Sequence, residues 1–225
     1  MNNTIITIAR ESGSGGGEVA RMLGHELGLK VYNRPMIDKL VEHFNMSVAE
    51  IEKVRAQRST WWSDICRFYK QFGTLSYEPG QQIVATPESI YHVEEHLLRA
   101  VAEEESCIII GRAANYVFRD HPGAIRVLLM ADRDERIGNI MKYKGLSEQE
   151  AADYIDRVDR DRDTFVRTVS GVSRYDARGY DFSINITGQS HDAVVQFLAD
   201  NVRLWNRYHL EKHMTATRTE ANPMA

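Results

Sequence analysis

The chain has 225 residues, of which 43% are hydrophobic and 27% charged, as expected for one large α/β domain. Its formal net charge of −4 argues against a general nucleic-acid or membrane-surface binder, because such proteins usually carry a basic excess. The cysteines Cys66 and Cys107 and the eight histidines show no metal-ligand spacing, and no apolar run suits a membrane span or signal peptide. These features predict a cytoplasmic protein without a metal site built from cysteine and histidine ligands.

Apolar runs and amphipathic patterns alternate along the chain. They predict strands at 4–9, 31–32, 107–110, 125–131 and 182–186. They predict helices at 17–28, 34–45, 47–57, 87–104, 112–118, 133–143, 147–169 and 191–212, and a disordered polar tail from His213. The alternation predicts a parallel sheet with helices on both faces. Ligands of such sheets bind beyond the carboxyl ends of the strands.

A glycine-rich turn follows the first predicted strand directly. Its residues are Ser12, Gly13, Ser14, Gly15, Gly16, Gly17 and Glu18, preceded by Arg10 and Glu11. Residues without side chains let backbone N–H groups approach an anion, and the N-terminus of the following helix adds a favourable dipole. The turn therefore predicts a phosphate-binding loop.

Two phosphate-loop patterns compete for this turn. In the mononucleotide pattern, the first glycine falls on Arg10, the lysine on Gly16 and the hydroxyl residue on Glu18, so the lysine and the hydroxyl are both missing. In the dinucleotide pattern, Gly15, Gly17 and Ala20 fit, but the acid expected after a second strand would be Asp38, which lies in a helical pattern.

Two arginine-bearing segments lie elsewhere in the chain. Arg112 follows the buried run that ends at Gly111, where it either extends to solvent or makes a bidentate contact with a phosphate. The run 157–163 alternates Arg and Asp, and Arg167 follows it. This run is either a solvated helix face with i,i+3 and i,i+4 pairs, or an arginine row that closes over phosphates. The aromatic residues at 61–77 favour a core or a packed flap over base stacking.

With these motifs, the chain resembles the cytidylate-kinase-like family of P-loop proteins, relatives of the nucleoside monophosphate kinases. The resemblance rests on the segments 5–17, 110–116, 159–162 and 180–185. It implies a P-loop NTPase-type three-layer α/β/α fold over residues 1–212. Within that domain it implies a helical substrate-binding region at 35–100 and an arginine-bearing lid at 157–175.

The resemblance also implies an activity, namely transfer of the ATP γ-phosphoryl group to a nucleoside monophosphate with Mg²⁺. The residues Ser12 to Glu18 would form the phosphate loop, and Arg112 would bind the acceptor phosphate. The lid arginines would be Arg160, Arg162 and Arg167.

The chain departs from the family pattern in the charges of the phosphate loop and at a position that contacts the base. Arg10 is the candidate to replace the missing lysine cation, unless it is a surface residue paired with Glu11 or Glu18. Glu18 either ligates magnesium or stabilises the first helical turn. Ala113 stands where cytidylate kinases carry an acid, and a methyl group cannot accept a hydrogen bond from a base.

Three functions are compatible with these observations. The first is a kinase for a small phosphate acceptor, and the second is a catalytically weak nucleotide-sensing module. The third is a dinucleotide-dependent enzyme. The expected partner of the kinase is a small nucleotide, with no nucleic acid or membrane, and the sequence leaves the oligomeric state open.

Overall fold

The computed structural model describes residues 3–33 and 87–221, with side chains described at 3–33, 91 and 94–208. The strands are β1 (Ile5–Arg10), β2 (Lys30–Tyr32), β3 (Cys107–Ile110), β4 (Ala124–Met130) and β5 (Phe182–Asn185). The helices are α1 (Gly16–Leu27), α2 (Pro87–Glu104), α3 (Ala114–Val117), α4 (Arg133–Lys144), α5 (Glu148–Ser170) and α6 (His191–Ala221). A 3₁₀ turn at Ala177–Gly179 precedes β5.

The five strands form one sheet in the order β2-β3-β1-β4-β5, and every neighbouring pair is parallel. The central strand is β1, in which Ile5 lies between Cys107 of β3 and Ala124 of β4. Because the strands run the same way, the turns after β1, β3, β4 and β5 lie at one edge of the sheet. This arrangement confirms the predicted α/β fold with a parallel sheet.

Alternation along β1 divides the core into two layers. Ile6 and Ile8 pack with Leu23 of α1 and Leu198 of α6 on one face of the sheet. Ile5 packs on the other face, in a cluster that includes Leu98 of α2. Both faces are therefore buried, which explains why β1 and β3 are almost wholly apolar.

Most predicted helices begin and end close to the expected residues. The best-defined start is that of α5, where the Ser147 hydroxyl accepts a hydrogen bond from the Glu150 N–H and the Glu150 carboxylate accepts one from the Ser147 N–H. This reciprocal pair is the capping box that the Ser-x-x-Glu spacing predicts. A small third cluster around Ile140 and Ile155 joins α4 to α5.

Two elements differ from the predictions. The helix expected at 112–118 is the single turn α3, because Arg112 and Ala113 have left-handed backbone angles and cannot start it earlier. The tail predicted to be disordered from His213 is helical as far as Ala221, and no glycine or proline interrupts 213–221. The predicted helices at 34–45 and 47–57 and the aromatic stretch at 61–77 lie outside the described residues. None of the described helices is long and apolar enough to cross a membrane.

Candidate functional site: a glycine loop beneath a buried arginine cluster

The glycine loop connects β1 to α1 at the carboxyl edge of the central strand. Gly13 and Gly15 have φ angles of 82° and 81°, a left-handed conformation that favours glycine. A Cβ on Gly13 would stand 2.6 Å from the Arg136 carbonyl oxygen, and one on Gly15 would stand 2.5 Å from Nε2 of His191. The loop therefore needs glycine at both positions for its shape and for its packing.

The backbone N–H groups of the loop divide into engaged and open ones. The Ser12 N–H donates to Oδ1 of Asp159 at 3.0 Å, and the Gly16 N–H donates to Oγ of Ser14 at 3.3 Å. The N–H groups of Gly13 and Gly15 have no hydrogen-bond partner in the described part of the chain. These two donors lie at the N-terminus of α1, where an anionic phosphate oxygen fits both the donors and the helix dipole.

A buried ion network holds the first half of the loop. Arg136 of α4 donates from Nε to the Ser12 carbonyl oxygen at 2.8 Å and is ion-paired with Oδ2 of Asp159. Its Nη1 lies 3.2 Å from Oε1 of Glu11, and Nη1 of Arg174 lies 3.5 Å from Oδ1 of Asp159. Arg136, Asp159 and Arg174 are each less than a tenth exposed. Arg136 and Asp159 thus hold the Ser12 backbone, and Arg174 supports Asp159.

Arg10 forms the opposite wall of the loop. Burial, together with the nearby charges of Arg162 and Arg174, lowers the pKa of Arg10 to about 10. Its carbonyl oxygen accepts hydrogen bonds from Arg174 at 2.5 Å and Arg162 at 3.4 Å. Its Nη1 lies 2.8 Å from the point that a Cβ on Gly111 would occupy, so the side chain extends from the loop to the turn after β3.

The lysine position of the mononucleotide pattern has no room for a side chain. A Cβ on Gly16 would lie 2.8 Å from Cβ of Arg10 and 3.2 Å from Cβ of Leu129. In that pattern the hydroxyl residue directly follows the lysine, so the corresponding residue is Gly17, and the assignment to Glu18 is one residue too far. The Glu18 carboxylate is exposed and bonded to Arg21 at 2.5 Å, which lowers the pKa of Glu18.

The turn after β3 presents Arg112. Gly111, Arg112 and Ala113 have φ angles of 76°, 57° and 52°, and two successive non-glycine residues in this region mark a strained turn. The Arg112 side chain is only 12% exposed and is ion-paired with Oε1 of Glu94 from α2. Its guanidinium carbon lies 5.7 Å from the ring centroid of Phe165 on α5. The turn thus holds Arg112 between α2 and α5.

The three predicted lid arginines take different positions on α5. Arg162 is half-buried, and its Nη1 lies 3.7 Å from Asp159 and faces the Arg10 carbonyl. Arg160 is exposed. Arg167 is exposed and pairs with Asp163 at 2.7 Å. The structure therefore brings Arg162 to the glycine loop and places Arg160 and Arg167 on the solvent side of the helix.

Sequence reasoning missed four side chains of this region. Arg136 and Glu94 lie in ordinary helical patterns without a local signal. Asp159 is one of several alternating charges typical of a solvated face, but it is buried. Arg174 lies in the loop 171–179, and the basic composition of this loop is the only sequence feature that points to a role in the site. The Tyr180 hydroxyl holds this loop by donating to the Arg174 carbonyl oxygen at 2.7 Å.

The described residues do not fit a magnesium ion held by the protein itself. No group of three or more His, Cys, Asp or Glu side chains comes together in the described ranges. Beside the loop, Glu11 is engaged by Arg136 and by the Ala131 N–H, and Asp159 is engaged by the network above. Gly17 has no hydroxyl.

The fold and the glycine loop define a kinase-type P-loop α/β protein. The chain belongs to the cytidylate kinase-like family, whose sequence model matches residues 5–188. No curated protein matches the chain. Membership of this family indicates that the protein is kinase-like, and it does not identify the acceptor of a phosphoryl group.

Several solved structures are similar to this chain at low sequence identity. An uncharacterized protein from Eubacterium ventriosum ATCC 27560 is 22% identical, with a TM-score of 0.65, over 89% of this chain and 98% of that one. Shikimate kinase from Bacteroides thetaiotaomicron is 14% identical, with a TM-score of 0.48, over 89% of this chain and 98% of that one. A gluconokinase from Sinorhizobium meliloti 1021 is 12% identical, with a TM-score of 0.43, over 93% and 97%.

Proposed function

We propose that this protein is a cytoplasmic phosphotransferase that moves the γ-phosphoryl group of Mg-ATP to a small phosphate acceptor, most simply a nucleoside monophosphate. One observation carries the proposal: the open N–H groups of Gly13 and Gly15 lie among guanidinium groups that outnumber the carboxylates. The cluster contains four arginines (Arg10, Arg136, Arg162, Arg174) and two acids (Glu11, Asp159). A partly buried excess of positive charge favours an anionic ligand.

The proposed roles follow the placement of the side chains. The backbone from Ser12 to Glu18 would hold the ATP phosphates, with Arg10 as the cation that replaces the missing lysine. Arg162 would neutralise charge on the transferring group from the lid side. Arg160 and Arg167 would take part only if α5 turns or shifts, because both side chains face solvent. Arg112 would contact the acceptor.

The chemistry needs little more than position and charge. Bound ATP would supply the γ-phosphoryl group, which passes to an acceptor phosphate oxygen as its bond to the β-phosphate oxygen breaks. An acceptor phosphate is already an anionic nucleophile at neutral pH, so the proposal needs no general base. Magnesium would enter with ATP and take its ligands from phosphate and water.

The test is phosphoryl transfer from Mg-ATP across a panel of ribo- and deoxynucleoside monophosphates, with the diphosphates separated and quantified. We expect one or a few acceptors to give product, and Arg10→Met to lower kcat by roughly 10³ or more. The matched control is Arg203→Met on α6, whose side chain is half exposed and pairs with Glu26. Full turnover by Arg10→Met would reject Arg10 as the replacement cation.

A second candidate is a nucleotide-sensing module with little or no turnover. Two observations favour it: Gly16 leaves no room for a lysine, and Asp159 already takes the Ser12 N–H that a phosphate could bind. Calorimetric titration of ATP separates the two functions. ATP binding without product from any acceptor would support the sensor, and efficient turnover of any acceptor would reject it.

A further inference from the structure

The side chains that would bind magnesium in a P-loop protein are replaced in this chain. P-loop NTPases hold Mg²⁺ with a Ser or Thr hydroxyl of the loop and with an aspartate. Gly17 stands at the hydroxyl position, so the loop has no hydroxyl there. The strand β3, which lies beside β1, ends at Ile110 and is followed by Gly111, so this strand end carries no acid. Neither of the usual ligands is therefore present at these two positions.

The described acids near the loop already have partners. Both carboxylate oxygens of Glu11 are engaged, one by a guanidinium at 3.2 Å and one by a backbone N–H at 3.1 Å. Asp159 is bonded by a backbone N–H and by arginines. Asp132, which follows β4, accepts a hydrogen bond from Nδ2 of Asn185 at 2.9 Å. Glu18 is paired with an arginine of its own helix. A metal ion would have to displace a donor or a cation from each carboxylate that it bound.

The Arg10 side chain spans the space between the loop and the end of β3. Its Cβ lies 2.8 Å from the point that a Cβ on Gly16 would occupy, and its Nη1 lies 2.8 Å from the corresponding point on Gly111. Glycine at both positions leaves room for this path. A fixed cation therefore lies between the two places that provide magnesium ligands in other P-loop proteins.

We propose that the glycine loop binds ATP in its metal-free form, with the Arg10 guanidinium in the place of a magnesium ion held by the protein. This inference rests on the proposed function and names the ionic form of its nucleotide. Magnesium cancels part of the negative charge of ATP. The metal-free form is therefore the better partner for a cluster in which guanidinium groups outnumber carboxylates. Magnesium that takes part in the transfer step would be held by phosphate and water and would not contribute to binding.

The crowding of like charges around Arg10 favours an anion of high charge. Arg174 and Arg162 both donate to the Arg10 carbonyl oxygen, at 2.5 Å and 3.4 Å, so three arginines meet at one residue. Burial and the repulsion from these two neighbours lower the pKa of Arg10, and a bound polyphosphate would offset both effects. A planar guanidinium can also bond two phosphate oxygens at once, and unlike Mg²⁺ it needs no carboxylate beside it.

The test compares the affinity of free ATP with that of Mg-ATP. Calorimetric titration of ATP into the full-length protein measures binding independently of turnover, once with a chelator of divalent cations and once with excess magnesium chloride. Both titrations are made at the same ionic strength, because salt screens the charges. We expect free ATP to bind at least as tightly as Mg-ATP, and up to about 10-fold more tightly. Sodium tripolyphosphate should show the same order, because the effect concerns phosphate and not the base.

Substitutions of Arg10 test whether this side chain sets the order of affinities. Arg10→Met should weaken the binding of free ATP by about 10- to 100-fold and make Mg-ATP the tighter ligand. Arg10→Lys should recover part of the affinity for free ATP, because it keeps the charge and loses the bidentate fork. Arg203→Met on α6 is the matched control and should keep both native affinities. Thermal melting of each variant shows whether it is folded.

The outcomes are distinct. Tighter binding of Mg-ATP than of free ATP to the native protein overturns the inference and leaves the proposed function standing. An unchanged ratio of the two affinities in a folded Arg10→Met variant does the same. Failure of ATP to bind in either form rejects the proposed function itself, and the inference with it.

Discussion

Gly16 is the residue whose replacement tests the loop most directly, because it occupies the position where a phosphate-loop lysine is expected. Its neighbours leave no space: a Cβ would stand 2.8 Å from Cβ of Arg10 and 3.2 Å from Cβ of Leu129. Carbon atoms that are not bonded prefer about 3.5–4.0 Å. Neither neighbour can turn away, because both contacts are with Cβ atoms fixed by the strands β1 and β4. Even alanine at this position must displace the backbone.

The next residue provides the matched control. A Cβ on Gly17 would meet nothing within 4 Å, and Gly17 belongs to the same first turn of α1. Both substitutions to alanine gain similar helix propensity, up to about 1 kcal/mol. The difference between the two variants therefore isolates the cost of overpacking, about 1–3 kcal/mol. For a domain of this size that corresponds to a difference of about 2–12 °C in Tm.

Differential scanning calorimetry of Gly16→Ala and Gly17→Ala measures this difference. We expect Gly17→Ala to melt at or above the native temperature and Gly16→Ala below it. Gly16→Lys should share the loss of stability and gain no ATP affinity over Gly16→Ala. Two alanine variants with the same Tm would refute the argument that Arg10 and Leu129 exclude a side chain from this position.

Three further predictions concern the framework of the site. Arg136→Met should lower the free energy of unfolding in urea by about 3–5 kcal/mol, because it leaves buried acids without their partner. The control is Arg133→Met, which breaks an exposed ion pair with Asp156 and should cost under about 1 kcal/mol. Equal losses in the two variants would contradict the argument that burial makes the Arg136 pair matter more. Ser147→Ala should cost about 1 kcal/mol by removing the α5 cap, and an unchanged Tm would argue against the capping box. Burial raises the pKa of Cys107 to about 12. In a Cys66→Ser variant, the Cys107 thiol of the folded protein should therefore not react with a disulfide reagent at pH 8. Rapid reaction would show that this thiol is accessible.

The sheet and most of its helices are predictable from local sequence. β1 and β3 are apolar runs because both of their faces are buried, and the Ser-x-x-Glu spacing before α5 specifies a cap that involves four consecutive residues. The glycine loop is equally local, since left-handed backbone at Gly13 and Gly15 requires glycine whatever surrounds it. These features depend on residues that are neighbours in the chain.

The ion network is not predictable in this way. Asp159 pairs with Arg162 one helical turn away, as the spacing indicates, but its main partners are the Ser12 N–H and Arg136. Arg136 and Asp159 come together only because α4 and α5 pack as a hairpin against the carboxyl edge of the sheet. The same limit applies to Glu94, whose partner Arg112 lies beyond the next strand. The tertiary fold alone decides which charges of an alternating run are buried.

The central position of β1 has a consequence for how the protein is made. β1 leaves the ribosome well before β3 and β4, the two strands that flank it in the sheet. The pairing of β1 with both neighbours, and with it the final position of the glycine loop, can form only after the chain has been synthesised past Met130. Pairings so distant in sequence are slow to form and leave apolar segments exposed meanwhile. The nascent segment that contains β1 and the glycine loop would therefore depend on protection during synthesis.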